Sequence, residues 1–151
     1  MPDQKEISGS DIVAAGNNPF IVFVIIPAFN EAESISKVIS DIPRDQVKQV
    51  VVVNNASTDN TSENAKKSGA VVVDQPLRGY GNACLAGIEW IKNLPVNHQP
   101  DCIVFLDGDY SDYPAEISLL LAPIQQQNCD LVIGSRVLGK REKGSQNLVS
   151  P

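Results

Sequence analysis

The chain has 151 residues, with 18 acidic against 12 basic side chains and a formal net charge of −6. That length corresponds to about one domain. A 42% hydrophobic content is enough for a packed core, and the acidic balance speaks against nucleic acid as a partner, which calls for a basic face. Three cysteines in no CxxC pair and a single histidine, His98, speak against a Cys/His metal centre, a disulfide framework and a Ser-His-Asp triad, so any chemistry rests on carboxylates, amides and arginines.

Residues 1–18 are polar, acidic and free of any long apolar run, and read as a flexible leader rather than a signal peptide. Phe20 to Ile26 is a continuous β-rich apolar run, the pattern of a strand buried on both faces. Including Ala28 it is still too short to cross a bilayer, and the expected location is the cytoplasm or the cytosolic face of a membrane. Ile35, Val38, Ile39 and Ile42 then recur at helical spacing. Asn30 and Glu33 suggest a capping box ahead of that helix, and Pro43 stops it.

The alternation continues. Gln49–Val53 reads as a second strand, Asp59 to about Lys67 as a short helix closed by Gly69, and Ala70–Val73 as a third strand. Asn82 to about Asn93 is a helix burying Ala83, Ala86 and Trp90. Cys102–Leu106 is a fourth strand. Pro114 opens a helix that buries Ile117, Leu120, Leu121 and Ile124, and Leu131–Ile133 reads as a fifth strand. Strand–helix alternation with buried strands predicts an α/β fold, a doubly wound, mainly parallel sheet with helices on both faces. It spans residues 19–136, with 137–151 as a basic loop. The runs at Phe20 and Cys102 are expected to be adjacent at the switch point.

Ligands of such sheets bind beyond the carboxyl ends of the strands, and polar residues gather there. Asp107-Gly-Asp109 follows the fourth strand. Alternate residues of an extended segment point the same way, and two such carboxylates suit a hard cation shared with phosphate oxygens; the plainer reading is an acidic turn capping the next helix. Pro27-Ala-Phe-Asn-Glu31 follows the first strand without a glycine, which argues against a dinucleotide-binding GxGxxG turn. Its plainer reading is helix capping. Arg78-Gly-Tyr-Gly81 is either a plain turn or a loop that brings Arg78 and the backbone to an anion. Arg136 is either a solvated charge or a phosphate clamp. Arg136, Lys140, Arg141 and Lys143 against Glu142 form a basic stretch suited to phosphate or an anionic membrane surface, or simply to solvent.

In this order and spacing, Val24-Ile-Ile-Pro-Ala-Phe-Asn-Glu31, Val51-Val-Val-Asn-Asn-Ala-Ser-Thr-Asp59, Arg78-Gly-Tyr-Gly-Asn-Ala83, Phe105-Leu-Asp-Gly-Asp-Tyr-Ser-Asp-Tyr-Pro114 and Gly134-Ser-Arg136 resemble family-two glycosyltransferases, and among them the dolichyl-phosphate mannose and glucose synthase-like subgroup. The resemblance implies a GT-A fold, a UDP- or GDP-sugar donor, Mn²⁺ or Mg²⁺, and inversion at the anomeric carbon. It places Pro27, Ala28, Phe29 and Glu31 beside base and ribose, and Asp107, Gly108 and Asp109 at ribose, diphosphate and metal, with the two aspartates as the metal ligands. Arg136 falls near the phosphates, and Arg78 is a further candidate for nucleotide-sugar binding. Asn54 and Asn55 stand where many relatives carry Asp-Asp or Asp-Asn, and bring an amide to the base without a charge. The acceptor implied is a polyprenyl or dolichyl phosphate, or a glycan, bound by elements that relatives carry beyond the Gly-Ser-Arg motif. Residues 1–151 alone are then expected to bind donor without rapid transfer. Two other functions fit parts of the pattern: a haloacid-dehalogenase-like phosphatase with Asp107 as nucleophile, and a donor-binding module without turnover.

Overall fold

The computed structural model describes residues 19–126 and 129–134. Four strands, β1 (Val22–Ala28), β2 (Gln49–Asn54), β3 (Val71–Asp74) and β4 (Cys102–Phe105), form one sheet in the order β3-β2-β1-β4. Every pairing is parallel, and β1 pairs with β4 as well as β2. The expected neighbours are therefore adjacent, and the order reverses at the β1–β4 boundary, where a doubly wound sheet opens its crevice.

The helices are α1 (Ile35–Asp41), α2 (Thr61–Lys67), α3 (Tyr80–Lys92) and α4 (Ile117–Gln125), the last preceded by a 3-10 turn at Pro114–Glu116. Strand residues alternate between two cores, as the period of two requires. Val22, Val24, Ile26, Val50 and Val52 meet Ile35, Val38 and Ile39 of α1, Ala65 of α2 and Ile117 and Leu121 of α4 on one face. Phe23, Ile25, Val51 and Val53 meet Ala83 and Ile91 of α3 on the other. With both faces covered, β1 and β2 show no polar alternation. Each buried Val or Ile side chain contributes roughly 1.5–3 kcal/mol.

Three expectations need correction. Leu131–Ile133 is not a strand: Leu131 and Ile133 are 75% and 79% exposed, outside the sheet. An apolar triplet becomes a strand only where a partner ladder and a face to bury are at hand. The capping box does not form, because Asn30 has φ 52° and its Oδ1 accepts the Thr58 N–H at 2.8 Å; α1 begins five residues later, at Ile35. Trp90 and Ala86 are half-buried at the edge of the α3 core rather than inside it. Cys84, Cys102 and Cys129 are free and half-buried. The leader 1–18, Arg136 and the basic stretch lie outside the described residues. Among the described residues no helix is long and apolar enough to cross a membrane.

Candidate functional site

The register fixes which side chains meet. Ala28, Asn54 and Asp74 are level at the carboxyl edge of β1, β2 and β3. β4 pairs Phe105 with Ile25, and carrying that register two residues on brings Asp107 alongside Pro27. All segments that leave this edge therefore start from one line, and they enclose a cleft of about 260 Å³.

The β1–α1 turn lines the cleft with Pro27, Ala28, Phe29 and Glu31, and the turn after β4 with Asp107, Gly108 and Asp109. Asn55 and the segment Arg78, Gly79 and Tyr80, with Ala83 behind it, close the third side. Tyr80, Gly79 and Ala83 are additions to the residues singled out from sequence, and all three lie within the Arg78–Ala83 motif. Asn54 does not line the cleft. Its Nδ2 donates to Asp74 Oδ1 at 3.1 Å and its Oδ1 accepts the Ser57 N–H at 3.2 Å. Asn55 reaches the cleft wall, but its amide is spent on the chain. Nδ2 donates to the carbonyls of Gln75 and Leu77, each at 2.8 Å, and Oδ1 accepts the Gly79 N–H at 2.9 Å.

The β1–α1 turn is fixed from the β2–α2 loop. The Asn30 N–H donates to Ser57 Oγ, the Glu31 N–H to Thr61 Oγ1 and the Ala32 N–H to Asp59 Oδ2. Thr61, fully buried, in turn donates its hydroxyl to Asp59. These bonds hold Asp59 below its ordinary pKa, the Thr61 hydroxyl foremost. Among the described residues, three that are not glycine have positive φ: Asn30 (52°), Ala56 (62°) and Tyr110 (63°). Each follows a strand at the cleft end, the kind of place where backbone strain collects.

The acidic turn is anchored from α1. Ser34 Oγ donates to the Gly108 carbonyl at 2.6 Å and also approaches Glu31 Oε2 at 3.3 Å. The Tyr110 hydroxyl donates to Asp41, and Lys37 Nζ lies 4.1 Å from the centroid of the Tyr110 ring. The Asp107 N–H donates to Asp112 Oδ2, and Asp109 Oδ1 accepts the Ser111 N–H. Ser34 is a further residue missed from sequence; its only signal was its place three residues after Glu31.

Charge is unevenly distributed around the cleft. The Glu31 carboxyl is raised above its usual pKa, first by burial and then by Asp109, with smaller pushes from Asp59 and Asp107, against the Ser34 hydrogen bond. Burial and the acidic neighbourhood push the Tyr80 phenol up to about 12. In the same cleft, the Arg78 guanidinium stacks on the Phe29 ring, 3.4 Å from its centroid. A divalent cation fits the acidic side: the donors are hard carboxylate oxygens whose mutual repulsion a cation would relieve. Among the described residues no three His, Cys, Asp or Glu side chains are grouped to hold an ion unaided. The fit is thus to an ion that takes its remaining ligands from water and substrate phosphates, the habit of Mg²⁺.

Comparison with known proteins points the same way. A family model described as Glycosyl transferase family 2 matches residues 23–151. Protein RfbJ of Shigella flexneri is 30% identical over 129 residues, 85% of this chain and 92% of that protein. Glycosyltransferase AglJ of Haloferax volcanii is 35% identical over 123 residues, 82% of this chain and 38% of AglJ. Among solved structures, glucosyl-3-phosphoglycerate synthase from Mycobacterium tuberculosis, in complex with Mn²⁺, UDP and glucosyl-3-phosphoglycerate, superposes with a TM-score of 0.59 at 27% identity, over 81% of this chain and 45% of the synthase. The same synthase has been crystallised with Mg²⁺ and UDP. The chain spans about half the length of its relatives from Methanocaldococcus jannaschii and Mycobacterium tuberculosis.

Proposed function

Because this chain belongs to glycosyl transferase family 2, we propose that its cleft takes a UDP- or GDP-hexose, together with Mn²⁺ or Mg²⁺, as the donor half of a hexosyl transfer. One observation carries the reading. At the switch point of a parallel sheet, an aromatic ring with a guanidinium on its face lines the same cleft as the Asp107–Asp109 pair. A nucleoside diphosphate has the matching parts: a flat base, a ribose and an anionic diphosphate. Pro27, Ala28, Phe29 and Glu31 serve base and ribose, Arg78 and Arg136 the phosphates, and Asp107 and Asp109 would hold the cation. The likeness to the mycobacterial synthase, crystallised with UDP and Mn²⁺, supports the choice of ligands.

In the transfer, an acceptor oxygen bonds to the anomeric carbon while the bond from that carbon to the diphosphate oxygen breaks, with inversion. The nucleoside diphosphate departs with the electron pair. The cation, when bound, supplies Lewis-acid stabilisation of the leaving diphosphate. The chain's own residues orient the donor: the clamped β1–α1 turn holds Phe29 and Glu31, and Ser34 with Tyr110 holds the acidic turn. The motifs of the dolichyl-phosphate sugar synthase-like subgroup favour a polyprenyl phosphate acceptor at the cytosolic face of a membrane. Such an acceptor is already anionic and needs no general base. Membership of the family leaves the phosphatase reading of Asp107 without support.

The test is calorimetry with UDP and GDP, with and without Mn²⁺, on the chain and on Asp109→Asn. It is followed by incubation with UDP- and GDP-hexoses and either polyprenyl phosphate or phosphoglyceric acid, with mass spectrometry of the products. Mn²⁺-dependent binding that Asp109→Asn weakens supports the reading. Equal affinity with and without Mn²⁺ removes the metal, and failure to bind any nucleoside diphosphate removes the donor.

A further inference from the structure

We propose that Asn55 is a positioning residue that holds the arm carrying Arg78 against the cleft, and that in this chain it does so through its amide. The inference rests on the donor-binding reading for its consequence, but its geometry stands by itself. Asn55 is 5% exposed, one of only two buried polar residues among those described, beside Thr61. Its backbone N–H donates to the Ala28 carbonyl at 2.9 Å, so it is tied to the residue just before Phe29. Its side chain grips the chain on both sides of Arg78, at the Gln75 and Leu77 carbonyls and at the Gly79 N–H. One residue therefore spans the two segments whose side chains, Phe29 and Arg78, stack at 3.4 Å.

The residue type follows from the partners. Two carbonyls and one N–H call for two donors and one acceptor on a short side chain, which is the inventory of asparagine. Those partners also settle which end of the amide is nitrogen. A carboxylate in the same place would turn an oxygen toward two carbonyl oxygens, losing two bonds and setting like partial charges against each other. The arm has little else to hold it. Leu77, Arg78 and Gly79 are exposed, and besides the Arg78 stack on Phe29 their other bonds are Leu77 N–H to Gln75 Oε1, Asn82 Nδ2 to the Arg78 carbonyl and the Ala83 N–H to the Gly79 carbonyl, the last two being bonds of the start of α3. Gly79 has φ 134°, a conformation closed to other residues, so the arm enters α3 by a backbone path that the Asn55 oxygen pins at its N–H.

Two measurements on residues 1–151 test this, with Asn55→Asp as the main variant and Arg78→Ala for comparison. The first needs no ligand. Limited trypsin digestion with mass-spectrometric site assignment should show cleavage after Arg78 rising about tenfold in Asn55→Asp, as a local opening loses its opposing bonds, while cleavage after Lys48, in the β1–β2 region, stays at the unsubstituted rate. The second is a double-mutant cycle read by calorimetry with UDP and Mn²⁺. Asn55→Asp and Arg78→Ala should each weaken binding by about tenfold, and the double variant should be no weaker than Arg78→Ala alone, because both act through one guanidinium. If Asn55→Asp melts below the assay temperature, Asn55→Ser, which keeps one donor and one acceptor, should show the same pattern at smaller size. Unchanged cleavage after Arg78, or losses that add in the double variant, would overturn the proposal. A chain that binds no nucleoside diphosphate overturns the donor reading instead, and the cleavage rates still decide whether Asn55 holds the arm.

Discussion

The guanidinium of Arg78 lies 3.4 Å from the centroid of the Phe29 ring, joining the β1–α1 turn to the loop ahead of α3. Phe29 is 36% exposed, so part of the ring remains open to the cleft. An exposed cation–π pair contributes about 0.5–1 kcal/mol, small enough for a ligand to displace. A base docking here either stacks on the outer face of the guanidinium or takes its place on the ring.

Both routes give Arg78→Ala a split effect. UDP affinity should fall about tenfold, the worth of a charge-assisted hydrogen bond to phosphate. Uridine, which carries no phosphate, should bind as well as before or better, because the ring is uncovered. Arg78→Lys keeps the charge but loses the planar stack and should fall between. Titration with uridine, UMP and UDP separates these contributions. Parallel losses for uridine and UDP would mean that Arg78 serves the base.

Ala56→Gly should stabilise the fold. Ala56 has φ 62° just beyond β2, where a Cβ costs roughly 1–2 kcal/mol. The greater freedom of glycine in the unfolded chain takes back about 0.4–1 kcal/mol, so the expected gain is up to about 1.6 kcal/mol by urea denaturation. Asn30, at φ 52°, should not respond in this way, because its side chain accepts the Thr58 N–H that glycine would leave unpaired. Stabilisation by Asn30→Gly would show that this bond contributes little.

The parts of the fold legible in the sequence were those with a local signature. The apolar runs within Phe20–Ile26 and Gln49–Val53 announced β1 and β2 because both faces are covered, by α1, α2 and α4 on one side and by α3 on the other. Carboxyl-end placement then predicted that Glu31 and Asp107 share a cleft, and they do. The failures were matters of long-range partnership. Leu131–Ile133 has the composition of a strand but lies outside the sheet. Asn54 and Asn55 read as one motif, yet only Asn55 lines the cleft, while Asn54, the last residue of β2, turns its amide to Asp74 and Ser57. The amide of Asn55 goes to carbonyls twenty and twenty-two residues away, and no spacing rule could name them.

Gly87→Ala should destabilise the protein although alanine is the better helix former. A Cβ at Gly87, in the middle of α3, would stand 2.8 Å from Ile25 Cγ2 and 3.2 Å from Val53 Cγ2. Both are fully buried side chains of the central strands, so α3 must lift or they must leave their rotamers. Overpacking of this kind costs about 1–3 kcal/mol, against a helix-propensity gain of about 1 kcal/mol. Urea denaturation should show a net loss at Gly87, while Gly81→Ala, with open space around its Cβ, should lose nothing. A neutral Gly87→Ala would mean that α3 sits farther from β1 than described.

Glu31→Gln should stabilise the metal-free protein at neutral pH and weaken its response to Mn²⁺. Burial and the charges of Asp109, Asp59 and Asp107 raise the Glu31 pKa above its ordinary value. For a carboxyl whose folded pKa lies above the unfolded one, the stability contribution is full below the unfolded pKa and is lost as pH rises through the folded pKa. At pH 7 the unsubstituted chain therefore carries a charge it would fold better without. Glutamine removes that charge, and its side-chain oxygen can still accept from Ser34 Oγ. The stability difference between Glu31→Gln and the unsubstituted chain should be largest above the raised pKa and shrink to nothing as pH falls below the unfolded glutamate range. A cation held by Asp107 and Asp109 would relieve the same repulsion, so Mn²⁺ with UDP should raise the melting temperature of the unsubstituted chain more than that of Glu31→Gln. Thermal melts from pH 4 to 8, with and without UDP and Mn²⁺, provide both curves. A difference that does not change with pH would show that Glu31 affects stability through packing rather than charge. An equal Mn²⁺ response in the two proteins would place the cation out of range of Glu31.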